Sequence, residues 1–120
     1  MSAVRQLVGT SLQIGVSTHN IEQARAAVLA GADYLGCGPT FPSTTKLFAE
    51  FPGVAFLQQV AAQIALPAFA IGGITLARLP EVRAAGFTRV AVSGAIAAAS
   101  DPGQAARQFR ALLSTSEQPC

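Results

Sequence analysis

An alternation of two sequence patterns restricts this chain more than any other feature. Four short apolar runs, 12–16 (LQIGV), 34–38 (YLGCG), 68–71 (AFAI) and 89–92 (RVAV), are each followed by an Ala-rich amphipathic stretch. Strands that alternate with helices in this way build parallel βαβ units with right-handed crossovers. Parallel sheets are covered on both faces, so their strands are continuously apolar rather than alternating. Two α/β architectures fit, a small doubly wound sheet or four βα units of an eight-fold barrel. Four strands cannot close a barrel, and an open four-stranded sheet leaves its first and last strands as bare edges.

The punctuation between the runs predicts the helices. Asn20 is expected to cap a helix from Ile21 to about Ala30, with Gly31 just past its end. Its inward face would carry Ile21, Ala24, Val28 and Leu29. A long loop, 39–53, precedes a second helix over 54–64. Thr75 is expected to cap a third helix that reaches Ala85 and is ended by Gly86, and Asp101 caps the last, with Pro102 at its first position. That helix runs to about Leu113, so residues 1–113 form the domain and 114–120 a frayed tail. Residues 3–8 are expected to be the stub of an earlier helix.

Composition narrows the class further. A chain of 120 residues makes one domain. It is 51% apolar and only 12% charged, which excludes disorder because ample apolar surface is there to bury. No apolar run reaches the ~18 residues of a membrane span, and the opening MSAVRQLVGT has no signal-peptide core. The net charge is +2, from scattered cations of which seven are Arg and one is Lys46, so no nucleic-acid footprint forms. Cys37 and Cys120 stand far apart without a CxxC, as reduced thiols of a cytoplasmic protein would. So little charge in so small a chain implies apolar surface kept for a partner.

In either architecture, functional groups gather at the C-terminal ends of the strands. Here those ends are Ser17-Thr18-His19, the segment 38–46 (GPTFPSTTK), Gly72-Gly73-Ile74-Thr75 and Ser93-Gly94-Ala95. Gly72-Gly73 and Ser93-Gly94 each join a buried strand to a helix start. Glycine lets a backbone approach a ligand, free N–H groups point outward, and a helix dipole favours an anion. Two such turns on neighbouring strands suit a phosphate; alternatively, glycines simply end strands where helices pack closely. Lys46 stands beside Ser43, Thr44 and Thr45, a set suited to a phosphate or diphosphate, or else it is a solvated loop lysine. His19 could act as a general base or hold structure. Cys37 lies inside a strand with no partner base. Asp33 sits at the far end of its strand and Asp101 caps a helix, so no metal site is evident in this chain.

Taken in order, IGVSTHN, GADYLGCGPTFPSTTK, LPAFAIGGIT and GFTRVAVSGAI resemble the C-terminal half of thiamine-phosphate synthase. The resemblance spans about residues 3–113, and the GPTFPSTTK loop followed by IGGI is its specific part. It implies four βα units of a TIM (β/α)8 barrel and a transferase of thiamine biosynthesis. Such enzymes join hydroxymethylpyrimidine diphosphate to a thiazole phosphate and release diphosphate. The implied mechanism is dissociative: diphosphate leaves, a pyrimidine cation forms, and the thiazole nitrogen captures it. The resemblance implies Lys46 on the diphosphate and Ser17 near the diphosphate or cation, as catalytic residues. It implies Ser43 and Thr45 as loop ligands in the second substrate's pocket, with Gly72, Gly73, Ser93 and Gly94 around the thiazole phosphate. The family usually has Val-Ser where this chain has Ser93-Gly94, which moves the hydroxyl by one residue.

The family's first four βα units, with the aspartates that bind Mg²⁺, have no counterpart here. The implied cofactor is therefore Mg²⁺, with no ligands in this chain. The expected partners are phosphorylated small molecules and either a second copy or a complementary N-terminal half-barrel, with no nucleic acid and no membrane. Two other readings stay open. One is a non-catalytic half-barrel that binds a phosphate or a partner. The other is a thiazole tautomerase, whose acid-base His is replaced by Pro39 in this chain.

Overall fold

Ordering of the chain into strands and helices follows the alternation closely. The computed structural model describes residues 2–41 and 52–114. In chain order the elements are α1 (Ser2–Val8), β1 (Gly15–Thr18), α2 (Ile21–Leu29), β2 (Tyr34–Cys37) and α3 (Gly53–Gln63). They continue with β3 (Ala68–Ile71), α4 (Leu79–Ala84), β4 (Val90–Ala91), α5 (Gly94–Ala97) and α6 (Pro102–Ser114). The four strands pair in sequence order, β1-β2-β3-β4, and every pairing is parallel. Register runs Ser17 to Gly36, Gly36 to Phe69 and Ile71 to Ala91. The expected parallel α/β sheet is what forms, with β1 and β4 at its edges.

One face of the sheet carries the core. Leu35, Cys37 and Ala70 point into it and are fully buried, and they join one apolar cluster with Ala24, Leu57, Val60, Leu79, Val82, Phe87 and Phe109 of the covering segments. The caps do what their side chains predict. Asn20 accepts a hydrogen bond from Gln23 N (2.8 Å) and Asp101 Oδ1 accepts one from Gln104 N (3.0 Å). Gly31 takes a left-handed φ of 95° just past α2.

Among the described residues, none covers the other face. Tyr34 and Phe69 meet edge to face there (ring centroids 5.7 Å apart), and Ile71 remains 40% exposed. With Asp33, Gly36 and Ala91 they border an apolar hollow of about 490 Å³.

Several boundaries differ from expectation. β1 covers Gly15–Thr18 rather than 12–16, because the Asp33 carboxylate takes Ile14 N (2.7 Å) before strand pairing begins. β4 is reduced to Val90–Ala91. The inward face of α2 is Ile21, Ala24 and Ala27, a spacing of three, whereas Val28 and Leu29 are exposed. Thr75 caps a turn rather than a helix: Arg78 N donates to Thr75 O (3.1 Å) and Oγ1 (3.3 Å), and α4 starts only at Leu79. The expected tail lies outside the described residues beyond Ser114.

Asp33 also anchors α1. Its Oδ2 pairs with Arg5 Nη2 at 2.7 Å, and Arg5 further donates to Gly31 O, Gly9 O and Leu12 O. The Arg5 hydrogen bond, then that of Ile14 N, holds the Asp33 carboxyl below its ordinary pKa. A carboxylate with a depressed folded-state pKa stabilises the fold above its unfolded pKa, and loses that contribution as pH falls through the folded value. The stability difference between wild type and Asp33→Asn is therefore expected to be full at neutral pH. It should narrow as pH falls below the ordinary carboxylate range and close once the depressed folded-state pKa has been passed. Denaturant titrations across that range check this; a gap that does not change with pH would refute it.

Candidate functional site

The C-terminal ends of β3 and β4 open into a cleft of about 670 Å³ lined by both glycine-bearing turns, Thr75 and Arg78. Gly72 and Gly73 have φ of 102° and 66°, a region that L side chains rarely adopt. Space is equally restrictive, since a Cβ on Gly72 would lie 2.8 Å from Pro39 Cα, and one on Gly73 would lie 3.0 Å from Phe41 Cβ and O. The turn is thus packed directly on the segment that follows β2. Thr40 N and Oγ1 both donate to Ile71 O (2.9 and 3.0 Å), and Phe41 N donates to Gly72 O (3.1 Å). Gly53 N donates back to Pro39 O (3.2 Å), which ties the two stems of the intervening loop together. Ser43, Thr45 and Lys46 belong to that loop and lie outside the described residues.

Ser93 and Gly94 form the opposite wall. Ser93 O accepts from Ile96 N and Ala97 N, while the Ser93 side chain makes no capping bond. Gly94 faces open space, with nothing within 4 Å of where its Cβ would stand. The four residues Gly72, Gly73, Ser93 and Gly94 therefore meet in one cleft. Ser17 does not line it, because β1 is separated from β3 by β2; it stands exposed on the uncovered face beside Gly36.

The expected helix dipole behind Gly73 is absent, since α4 begins only after the turn at Thr75–Arg78. Arg78 occupies that position instead, and sequence reasoning did not single it out. Its guanidinium lies 4.8 Å from the Phe41 ring centroid, and Nη1 donates to Gly73 O (3.2 Å). The signal available in the sequence was a cation five residues after Gly73 in a chain with few cations.

His19 has a structural contact: Nδ1 lies 2.7 Å from Gly38 O. A carbonyl only accepts, so Nδ1 carries the proton and helps hold the start of the loop stem. Cys37 is buried, and burial pushes its thiol pKa up against a smaller opposing effect of its hydrogen bond from Thr18 (3.6 Å). A raised pKa leaves little thiolate, which suits an inert core thiol.

Among the described residues, no three His, Cys, Asp or Glu side chains come together. Asp33 is committed to Arg5 and Ile14, and Asp101 to Gln104. These donors do not fit the Mg²⁺ that the resemblance implies. No described helix is long and apolar enough to cross a membrane.

The family model for thiamine monophosphate synthase matches residues 1–96. The chain belongs to this family. Among curated members of the thiamine monophosphate synthase family, thiamine-phosphate synthase of Rhodopirellula baltica is 48% identical over 118 residues, covering 94% of this chain and 32% of that protein. That of Chloroflexus aurantiacus is 44% identical over 119 residues, covering 98% of this chain and 55% of the relative. The chain thus spans about a third to a half of the relatives it matches. Among solved structures, thiamine phosphate pyrophosphorylase from Pyrococcus furiosus superposes with a TM-score of 0.83 at 32% identity, covering 94% of this chain and 54% of that one.

Proposed function

We propose that this chain supplies the part of a thiamine-phosphate synthase that holds the thiazole phosphate and the leaving diphosphate. The observation that carries this reading is the meeting of the Gly72-Gly73 and Ser93-Gly94 turns in one cleft, in a member of this family. Backbone N–H groups at such turns can point at phosphate oxygens without a Cβ in the way. The thiazole phosphate lies there, with Ser43 and Thr45 as loop ligands in the second substrate's pocket and Lys46 on the diphosphate. The tied loop stems support that placement, because they start the loop beside Gly72 and Gly73. Ser17, on the uncovered face, lies toward the pyrimidine diphosphate. Diphosphate departs first, and the fixed thiazole presents its nitrogen to the resulting cation, so positioning and charge stabilisation carry the rate.

A complementary half-barrel covers the hollow around Tyr34 and Phe69 and pairs with β1 and β4. Two unpaired parallel edges and an apolar face support that assembly over a free sheet. A cytoplasmic setting accords with the free thiol of Cys37.

The test is Gly94→Val. A substitution at Gly73 is a poor choice: its left-handed φ and its contact with Phe41 mean that Gly73→Val disturbs the fold. Gly94 has neither constraint. Calorimetry is expected to show thiazole phosphate binding to the wild-type chain and at least tenfold weaker binding to Gly94→Val, with an unchanged melting temperature. Undiminished binding by the variant would move the phosphate elsewhere.

A further inference from the structure

We infer that Arg78 is the side chain by which this cleft selects a phosphomonoester over the corresponding uncharged alcohol. The inference rests on the cleft between the glycine turns being the thiazole phosphate site. Among the described residues lining that cleft, Arg78 alone carries a charge. Backbone N–H groups satisfy phosphate oxygens but bring no net positive charge to meet a dianion. A guanidinium brings both charge and a fork of parallel donors.

The geometry shows a guanidinium held ready. Its Cζ lies over the Phe41 ring, 4.8 Å from the centroid, and one Nη1 bond to Gly73 O fixes its direction. Among the described residues that is its only side-chain hydrogen bond, so most of its five N–H donors are uncommitted. A guanidinium held over an aromatic ring by one bond keeps its other donors open while its rotamers are restricted. Less entropy is then lost when a ligand arrives. Gly73 O belongs to the cleft wall and the Phe41 ring to the segment packed against Gly73, so the guanidinium is anchored at two points beside the cleft.

A purely structural role would have Arg78 brace Phe41 against Gly73 and nothing more. The two roles differ in what they do to ligand discrimination. Bracing affects every ligand of the cleft alike, whereas a charge partner affects only the phosphorylated one.

The experiment uses the full chain, thiazole phosphate, and the unphosphorylated hydroxyethylthiazole, with Kd values from calorimetry and melting curves for each variant. Wild type is expected to prefer the phosphorylated ligand. Arg78→Gln should lower that preference about tenfold to a hundredfold, the range for losing a hydrogen bond to a charged group. Its affinity for the alcohol should not change. Arg78→Lys, which keeps the charge but loses the planar fork, should fall between the two, and it decides the matter should Arg78→Gln not fold. An unchanged preference in the folded variants overturns the inference. If Gly94→Val then still loses thiazole phosphate, the site itself stands without Arg78. Equal loss of both ligands in Arg78→Gln also overturns it and makes Arg78 a brace. No binding of either ligand to wild type overturns both the inference and the site.

Discussion

The chain on its own, given hydroxymethylpyrimidine diphosphate, thiazole phosphate and Mg²⁺, is expected to form no measurable thiamine phosphate. Two features of the fold lead there. The face that carries Ser17, Tyr34 and Phe69 is open to water, whereas separating diphosphate from a pyrimidine cation requires an enclosed site of preorganised dipoles. The described carboxylates are also dispersed: Asp33 and Asp101 are engaged in structural bonds at different places, and no acidic cluster forms. The expected counterpart in solution is association, because β1 and β4 present unpaired edges beside an apolar face. Sedimentation should show dimers or larger species, and mixing with a complementary half-barrel should restore turnover. Turnover by the purified chain that survives removal of host enzyme would defeat the prediction, as would a clean monomer at tens of micromolar.

In such a reconstituted complex, Lys46→Ala is expected to lower turnover by about 10²–10³-fold, the usual effect of removing a charge-stabilising donor. The proposed role places the ammonium on diphosphate as negative charge develops on it, so the interaction is stronger in the transition state than in the ground state. The loss should therefore appear in kcat, with the KM for thiazole phosphate little changed. Lys46→Arg should recover little, since a planar fork does not reproduce a compact point charge. Steady-state kinetics on the three proteins decide this. Turnover indifferent to Lys46→Ala would mean that the loop between Pro39 and Gly53 has another job. The contrast with Arg78 is informative: Arg78→Gln should act on discrimination between ligands, and Lys46→Ala on rate.

Much of the scaffold was legible because it depends on local chemistry. Asn20 and Asp101 cap helices through bonds that span three residues, and Gly31 ends one through its own φ. The alternation of apolar strands and amphipathic helices, together with the handedness rule, fixes a parallel sheet before any contact is known, while its sequential strand order, which a doubly wound sheet would not have, came from the structure. Gly72-Gly73 and Ser93-Gly94 were visible for the same reason, as turns at strand ends, and the fold brings them to one cleft.

What only the tertiary structure decided are contacts between residues distant in sequence. Asp33 takes Ile14 N and so delays β1, although Leu12 and Ile14 are as apolar as a strand start should be. Thr75 looks like a helix cap, yet the chain makes a separate turn there and sets Arg78 over Phe41, a residue far earlier in the chain. The same turn removes the helix dipole expected behind Gly73 and replaces it with a guanidinium. Ser17, grouped by sequence with the other strand ends, is kept from the cleft by the width of β2. Caps and periodicities are written over a few neighbouring residues and can be read along the chain. The placement of a charge against a distant ring or carbonyl depends on how the packed elements meet, and only the folded sheet supplies that.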